Sequence, residues 1–231
     1  MRLVRAGLRR AGLRRHDEPG HHQAPGLDAQ KKSLSASERD EAAREAWRER
    51  VAGVDPARLV FIDETGSHLG LVRLYARAPR GARAVGRAPR NRGRARTTIT
   101  ALTLDGIGRG LLVEGGVSTA AFEAYVEHLL APTLRPGQIV VLDNLRQHQG
   151  ERTRAAIEAR GAELWSLPGY SPDLTPIEEA FAKLKALLRT AAARTHEALA
   201  AAIWAALRAI TPADAHGYFT HCGYSALAQH P

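Results

Sequence analysis

Three carboxylates, Asp63, Asp143 and Glu178, have the residue types and the positions for metal-dependent chemistry. Asp63 follows the apolar run that begins at Val60, and Asp143 follows the one that begins at Val140, so two predicted buried strands each end in an ionisable side chain. Either aspartate alone is typical of a turn or of a helix cap. The pair is unusual because burying a carboxylate is costly unless a cation neutralises it.

Glu178 lies in the first turn of a predicted helix, after the proline-rich segment 167–176, LPGYSPDLTP. In one interpretation Thr175 is the N-cap, Pro176 takes the first helical position, and Glu178 completes a capping box. In the other, the stiff entrance aims Glu178 at the sheet, because helical spacing puts this residue beside the buried stripe and turns Glu179 further away. The sequence leaves both interpretations open.

Carboxylate oxygens favour Mg²⁺ or Mn²⁺ over zinc. Three such groups can hold two divalent cations, which bridge a scissile phosphate, activate a water or a 3′-hydroxyl and stabilise the leaving oxygen. We therefore expect two ions of Mg²⁺, or of Mn²⁺, at these carboxylates. Asn144 and His148 are candidate assisting residues, although His148 could equally cap the following turn, and His68 is expected to be a surface loop residue.

The elements that must position these residues change character along the chain. Strands are predicted at 59–63, 96–104, 108–114, 139–144 and 163–167, and helices at 119–130, 152–160, 176–192 and 196–210. Antiparallel strands followed by strand–helix alternation predict an α/β protein with three layers, a mixed sheet and helices on both faces. That ordering matches the ribonuclease H-like fold.

The chain of 231 residues is long enough for one substantial domain, which we expect at 56–225. Residues 1–32 are expected to form a basic, poorly ordered arm, and 33–55 a linker helix that opens at Ser35 with the pattern of a capping box. No run reaches the 18 or so apolar residues of a membrane span, so no membrane partner is expected. Cys222 is the single cysteine, which excludes an intramolecular disulfide and the usual thiolate-rich zinc site.

The basic residues favour a nucleic-acid partner. The net charge is +9, the pI is near 10.4, and only four of the 33 basic residues are lysines. Guanidinium groups match phosphate oxygens, although a GC-rich coding bias would also favour arginine. No acidic residue occurs from 66 to 104, so this stretch is either a solvated loop or a contact surface for DNA or RNA. Its arginines are Arg73, Arg77, Arg80, Arg83, Arg87, Arg90, Arg92, Arg94 and Arg96.

These motifs resemble those of the transposases of the insertion-sequence 630 and Tc1/mariner superfamily. The resemblance rests on DNLRQH at 143–148, on PGYSPDLTPIE at 168–178, and on the gap of 34 residues between Asp143 and Glu178. It extends over about 31–224. Gly169 and Thr175 depart from the family pattern, which has proline and asparagine there; Thr175 still suits a helix cap, while Gly169 could loosen the aim of Glu178.

The resemblance implies a ribonuclease H-like catalytic domain with Asp63, Asp143 and Glu178 as metal ligands. It implies DNA cleavage at the element ends, joining to a TA target, a homodimer, and arginine contacts with DNA or with the second subunit. The helix-turn-helix modules of the family are not found in this sequence, so a separate DNA-binding polypeptide could supply end recognition, and the expected location is the cytoplasm, on the nucleoid. The alternatives are an inactive, DNA-binding remnant and a cellular ribonuclease H-like nuclease.

Overall fold

The computed structural model describes residues 36–73, 75–143 and 150–225. The predicted arm at 1–32, the predicted helix start at Ser35, and the candidates Asn144 and His148 lie outside these residues. The strands are β1 (Leu59–Ser67), β2 (Arg96–Thr103), β3 (Gly106–Ile107), β4 (Leu111–Glu114), β5 (Ile139–Leu142) and β6 (Glu163–Ser166). The helices are α1 (Glu41–Ala52), α2 (Thr119–Tyr125), α3 (Glu151–Glu158), α4 (Pro176–Ala191), α5 (His196–Arg208) and α6 (Pro212–His221).

The six strands form one mixed sheet in the order β3-β2-β1-β5-β6, with β4 also paired to β2. Strands β1 to β4 pair antiparallel, whereas β5 pairs parallel with both β1 and β6. Parallel neighbours need a crossover connection, and α2 and α3 supply the two crossovers. The mixed sheet of the predicted ribonuclease H-like fold is therefore present.

Alternation along the central strands divides the core between the two faces of the sheet. Phe61 and Val141 pack on one face, in a cluster with residues of α1, α4 and α6. Ile62 and Leu142 pack on the other face, against α2 and α3. The three predicted layers are confirmed, and the helix pair α4–α5 adds a third apolar cluster beside them.

Several predicted boundaries are wrong. Strand β1 does not end at Asp63 but continues to Ser67, because the second half pairs with β2 through Thr65 and Ser67. The helix predicted at 119–130 is α-helical only to Tyr125 and then becomes a π-helical turn over Val126–Leu130. A last helix, α6, follows the one predicted to be final.

The predicted linker helix begins later than expected and packs into the core. Asp40, and not Ser35, caps α1, since its side chain accepts a hydrogen bond from the backbone N–H of Ala43 at 3.0 Å. Arg44 and Trp47 of α1 are buried, and Trp47 belongs to the same cluster as Phe61. No single helix in the described residues is long and apolar enough to cross a membrane; α5 and α6 pass that test only jointly, across a bend of 75°.

Candidate active site

The register of β1 and β5 places the two aspartates side by side. Phe61 is paired with Val141, so Asp63 and Asp143, each two residues further on, share the register and the face of that pair. Parallel strands lie about 4.8 Å apart, which leaves the two carboxylates as neighbours at the carboxyl ends of the parallel strands. Ligand and catalytic groups gather at this edge of an α/β sheet.

Helix α4 covers that same face and brings Glu178 to the aspartates. The capping box predicted for this helix is not formed, because Thr175 is at the N-cap but its side chain makes no capping hydrogen bond. The backbone N–H of Glu178 donates instead to the carbonyl of Thr175 at 3.2 Å. The Glu178 side chain is exposed, and it lines one cleft with Asp63 and Asp143. The interpretation in which the entrance aims Glu178 is therefore the better supported of the two.

The cleft has a volume of about 510 Å³, and the loop between β6 and α4 forms much of its wall. Residues 167–172 and Thr175 of this loop line the cleft together with the three carboxylates. Tyr170 takes a left-handed backbone conformation, with φ of 54°, which side-chain-bearing residues seldom adopt. Its side chain is largely exposed, and the sequence did not single it out as a functional residue.

Negative charge is concentrated in this cleft. Burial first, and then the charges of Glu178, Asp143 and Glu64, raise the pKa of Asp63 from 3.8 to about 7. A hydrogen bond from the backbone N–H of Glu64 to Asp63 Oδ1, at 2.7 Å, opposes the rise and fixes the carboxylate. A bound cation would favour the ionised form of these carboxylates. The ligand atoms that they offer are all oxygens, which suits a hard divalent cation.

The family model of the DDE superfamily endonucleases matches residues 58–200. This match covers more than half of the 231 residues and includes Asp63, Asp143 and Glu178. The chain belongs to the DDE superfamily endonucleases. The family resemblance seen in the sequence is confirmed, and no curated protein sequence gives a significant match.

Solved structures of Mos1 transposase share the fold of this DDE endonuclease. The pre-cleavage Mos1 transpososome gives a TM-score of 0.65 at 18% identity, over 86% of this chain and 64% of that chain. The Mos1 mariner paired end complex with Mn gives 0.64 at 19% identity, over 86% and 63%. The Mos1 transposase catalytic domain with Raltegravir and Mg gives 0.55 at 17% identity, over 79% and 89%. This chain thus spans less than two thirds of the transposase chain in the first two structures.

The loop between β6 and α4, here called the entrance loop, is held by residues that lie before and after the matched range 58–200. Arg44 of α1 is fully buried and donates two hydrogen bonds to Asp173, at 3.1 and 2.6 Å. At the other flank, the Tyr224 hydroxyl donates to the Leu174 carbonyl at 2.6 Å and accepts from Trp47 Nε1 at 2.9 Å. The short helical turn Pro172–Leu174 is therefore fixed just before α4 begins.

The arginine-rich stretch forms an excursion between β1 and β2. Its base is closed by a hydrogen bond from the Leu69 N–H to the Arg92 carbonyl and by Arg194, which donates to the Leu69 carbonyl. Two of the nine arginines have an acidic partner, because Arg94 and Arg96 form ion pairs with Glu114 at 3.1 and 3.8 Å. The other seven are exposed and have no ion-pair partner among residues 36–73, 75–143 and 150–225: Arg73, Arg77, Arg80, Arg83, Arg87, Arg90 and Arg92.

The histidine beside β1 has a local role in this endonuclease. His68 Nδ1 accepts a hydrogen bond from the Gly70 backbone N–H at 3.1 Å, and the side chain is not among those that line the cleft. Burial, helped by the charge of Arg92, lowers its pKa. The expectation of a loop residue thus agrees with the structure.

Proposed function

We propose that this chain is the catalytic domain of a DNA transposase, with Asp63, Asp143 and Glu178 as its metal ligands. One observation supports this assignment above the others: three carboxylates from β1, the end of β5 and α4 line a single cleft. A structural cluster of three acids without a cation would be destabilising, whereas a phosphoryl-transfer site requires such a cluster.

The residues fit a pair of divalent cations of the Mg²⁺ or Mn²⁺ type. The donor set consists of carboxylate oxygens, and the raised pKa of Asp63 comes first from burial and then from neighbouring negative charge, which a cation would offset. Divalent-metal use is supported by the similar Mos1 structures, which include paired end complexes with Mn and with Mg. When bound, such cations activate the attacking oxygen and stabilise the leaving one.

Three side chains of the cleft have different proposed roles besides holding the cations. Asp63 is held by the Glu64 backbone N–H, so its carboxylate is a fixed point against which the substrate is oriented. Glu178 is exposed on the first turn of α4, whose position is set by the entrance loop. Tyr170 offers an exposed aromatic side chain on the cleft lining, and such rings stack on unpaired bases.

DNA is the proposed substrate, both as element ends and as a TA target. The seven exposed arginines of the β1–β2 excursion lie outside the acidic cleft. They contact either the phosphates of DNA or the second subunit. The proposed assembly is a homodimer on DNA, since the similar Mos1 structures include paired end complexes. A separate polypeptide for end recognition and a location on the nucleoid complete the proposal.

The test is cleavage and strand transfer on labelled linear DNA, with Mg²⁺ or Mn²⁺ and with EDTA. Asp63→Asn, Asp143→Asn and Glu178→Gln each remove one charge and almost no volume. Loss of a direct ligand should exceed the roughly 10–100-fold that follows loss of an outer-shell partner. Asp105→Asn and Glu158→Gln make the same chemical changes at exposed positions outside the cleft and should retain activity.

Two results would contradict the proposal. Cleavage that persists in all three cleft variants would show that other residues carry the reaction. A folded, unaltered protein that binds DNA but neither cuts nor joins it with either metal would favour the remnant interpretation. Circular dichroism on every variant separates loss of activity from loss of fold.

A further inference from the structure

A second cluster of metal-ligating side chains lies beside the catalytic cleft, between α4 and α6. Glu179 comes from the first turn of α4, His221 from the last turn of α6, and Cys222 caps α6. The donor atoms of these three residues all lie within 4.8 Å of one another. His221 Nδ1 and Glu179 Oε1 are already in hydrogen-bond contact.

The three donors lie near enough to one another for one tetrahedral cation to bind all of them. Zinc binds sulfur at about 2.3 Å and nitrogen or oxygen at about 2.0–2.2 Å, which separates the donors by roughly 3.3–3.8 Å. From the present arrangement, the His221 and Glu179 donors move apart to admit the cation, because they are now in direct contact. The His221 side chain is 77% exposed, so solvent can reach the cluster and supply a fourth ligand.

The ligand chemistry differs from that of the catalytic carboxylates. A thiolate, an imidazole and a carboxylate favour zinc or another transition metal, whereas the oxygen-only cleft favours Mg²⁺ and Mn²⁺. Coordination to such a cation deprotonates a cysteine thiol and releases its proton to solvent.

We propose that Glu179, His221 and Cys222 form a site for one transition-metal cation of the zinc type, distinct from the catalytic metal site. The bound cation joins the C-terminal end of α6 to the first turn of α4. That turn also carries Glu178, so occupancy would restrain the helix that positions the third catalytic carboxylate. The proposal goes beyond the transposase assignment and does not depend on it.

The two helices are already held together nearby, which favours a preformed site over one assembled by the metal. Lys183 of α4 donates to Asp214 of α6 at 2.6 Å, one turn of α4 beyond Glu179. Tyr224, two residues after Cys222, is fixed by its buried hydroxyl contacts. The backbone on both sides of the cluster is therefore constrained before any cation arrives.

The test is an absorption titration of the reduced, metal-free protein with Co²⁺, which gives a thiolate-to-metal charge-transfer band only when sulfur is a ligand. The unaltered protein should show the band at one equivalent, lose it on addition of Zn²⁺ and keep it in excess Mg²⁺. Cys222→Ser should abolish the band, and His221→Asn should weaken binding by at least the roughly 10–100-fold typical of an outer-shell loss. His216→Asn, at an exposed histidine of the same helix, is the matched control.

Glu178→Gln separates this site from the catalytic one, since it should leave the thiolate band unchanged even though it removes a proposed catalytic ligand. Absence of a thiolate band in the unaltered, folded protein overturns the proposal, and so does a band of normal affinity in His221→Asn. Gel filtration with and without metal gives a further check. A mass that doubles only when the metal is added would mean that the cation bridges two chains, which also overturns a site within one chain.

Discussion

The ion pair between α1 and the entrance loop gives the sharpest stability prediction. Asp173→Ala removes both hydrogen bonds from Arg44, whose side chain is 0% exposed, and leaves that guanidinium only its contact with Glu41 at 3.3 Å. Breaking a buried pair costs about 3–5 kcal/mol, but Asp173 is 52% exposed and Glu41 remains, so we expect about 2 kcal/mol.

For a chain of this size, each kcal/mol lowers Tm by about 2–4 °C, so Asp173→Ala should melt about 4–8 °C below the unaltered protein. The assay is thermal unfolding followed by circular dichroism and checked by urea titration. Glu45→Ala is the control, because it breaks an exposed pair with Arg48 on the same helix and should cost less than about 1 kcal/mol.

A double-mutant cycle with Arg44→Met isolates the interaction from the loss of each side chain. Removing Asp173 should cost much less in the Arg44→Met background, because no buried charge is then left without its partner. If Asp173→Ala melts at the same temperature as Glu45→Ala, the buried pair does not stabilise the fold and this reasoning is refuted.

Three further predictions concern the flanks and the cleft. Tyr224→Phe should cost about 2 kcal/mol in urea unfolding, because it leaves the Trp47 N–H and the Leu174 carbonyl without their buried partner; an unchanged midpoint would contradict this. Hydrogen bonds from Lys183 and Thr211 lower the pKa of Asp214 to about 2 from 3.8, so its contribution is complete above pH 4 and is lost as the pH falls towards 2; Asp214→Asn should flatten the dependence of Tm on pH in that window. Asp63→Asn should raise Tm in EDTA, because it removes a carboxylate whose burial and acidic neighbours disfavour its charged form, and it should remove the rise in Tm that Mg²⁺ gives the unaltered protein.

The three candidate acids could be predicted from sequence because their signal is local and periodic. Alternation fixes which residues of β1 and β5 share a face, and Asp63 and Asp143 follow Phe61 and Val141 by the same two positions. The predicted end of β1 at Asp63 was wrong, but the positions of the two aspartates relative to each other do not depend on it. What matters is where the parallel pairing with β5 stops, not where the strand itself ends.

Helix caps were less predictable because the same pattern has two outcomes. The pattern at Thr175 suggests a capping box that does not form, since the Thr175 N–H donates to the Pro172 carbonyl of the preceding turn and the Glu178 N–H donates to the Thr175 carbonyl. The pattern at Thr211, with Pro212 next and Asp214 third, forms a complete capping box at the start of α6. This signal could have revealed α6, although Gly217 within the helix weakens the pattern.

Contacts between distant segments could not be inferred from the sequence. Arg44 and Asp173 are 129 residues apart, and nothing in the charged pattern of α1 marks Arg44 as the one arginine that becomes fully buried. The cluster of Glu179, His221 and Cys222 likewise depends on how α6 packs on α4, and α6 itself was not predicted. Tertiary packing decides which of many similar side chains acquires a partner.

The entrance loop is held in place by contacts with residues outside the loop. The prolines limit the conformations of the loop, but two residues outside the matched range 58–200 set its position. Arg44 precedes that range and Tyr224 follows it. Glu178 lies in the first turn of α4, just after this loop, so its location in the cleft depends on the two flanking segments that hold the loop. Helix α1 and the segment after α6 therefore belong to the structural unit that forms the cleft, since their contacts hold the loop that precedes Glu178.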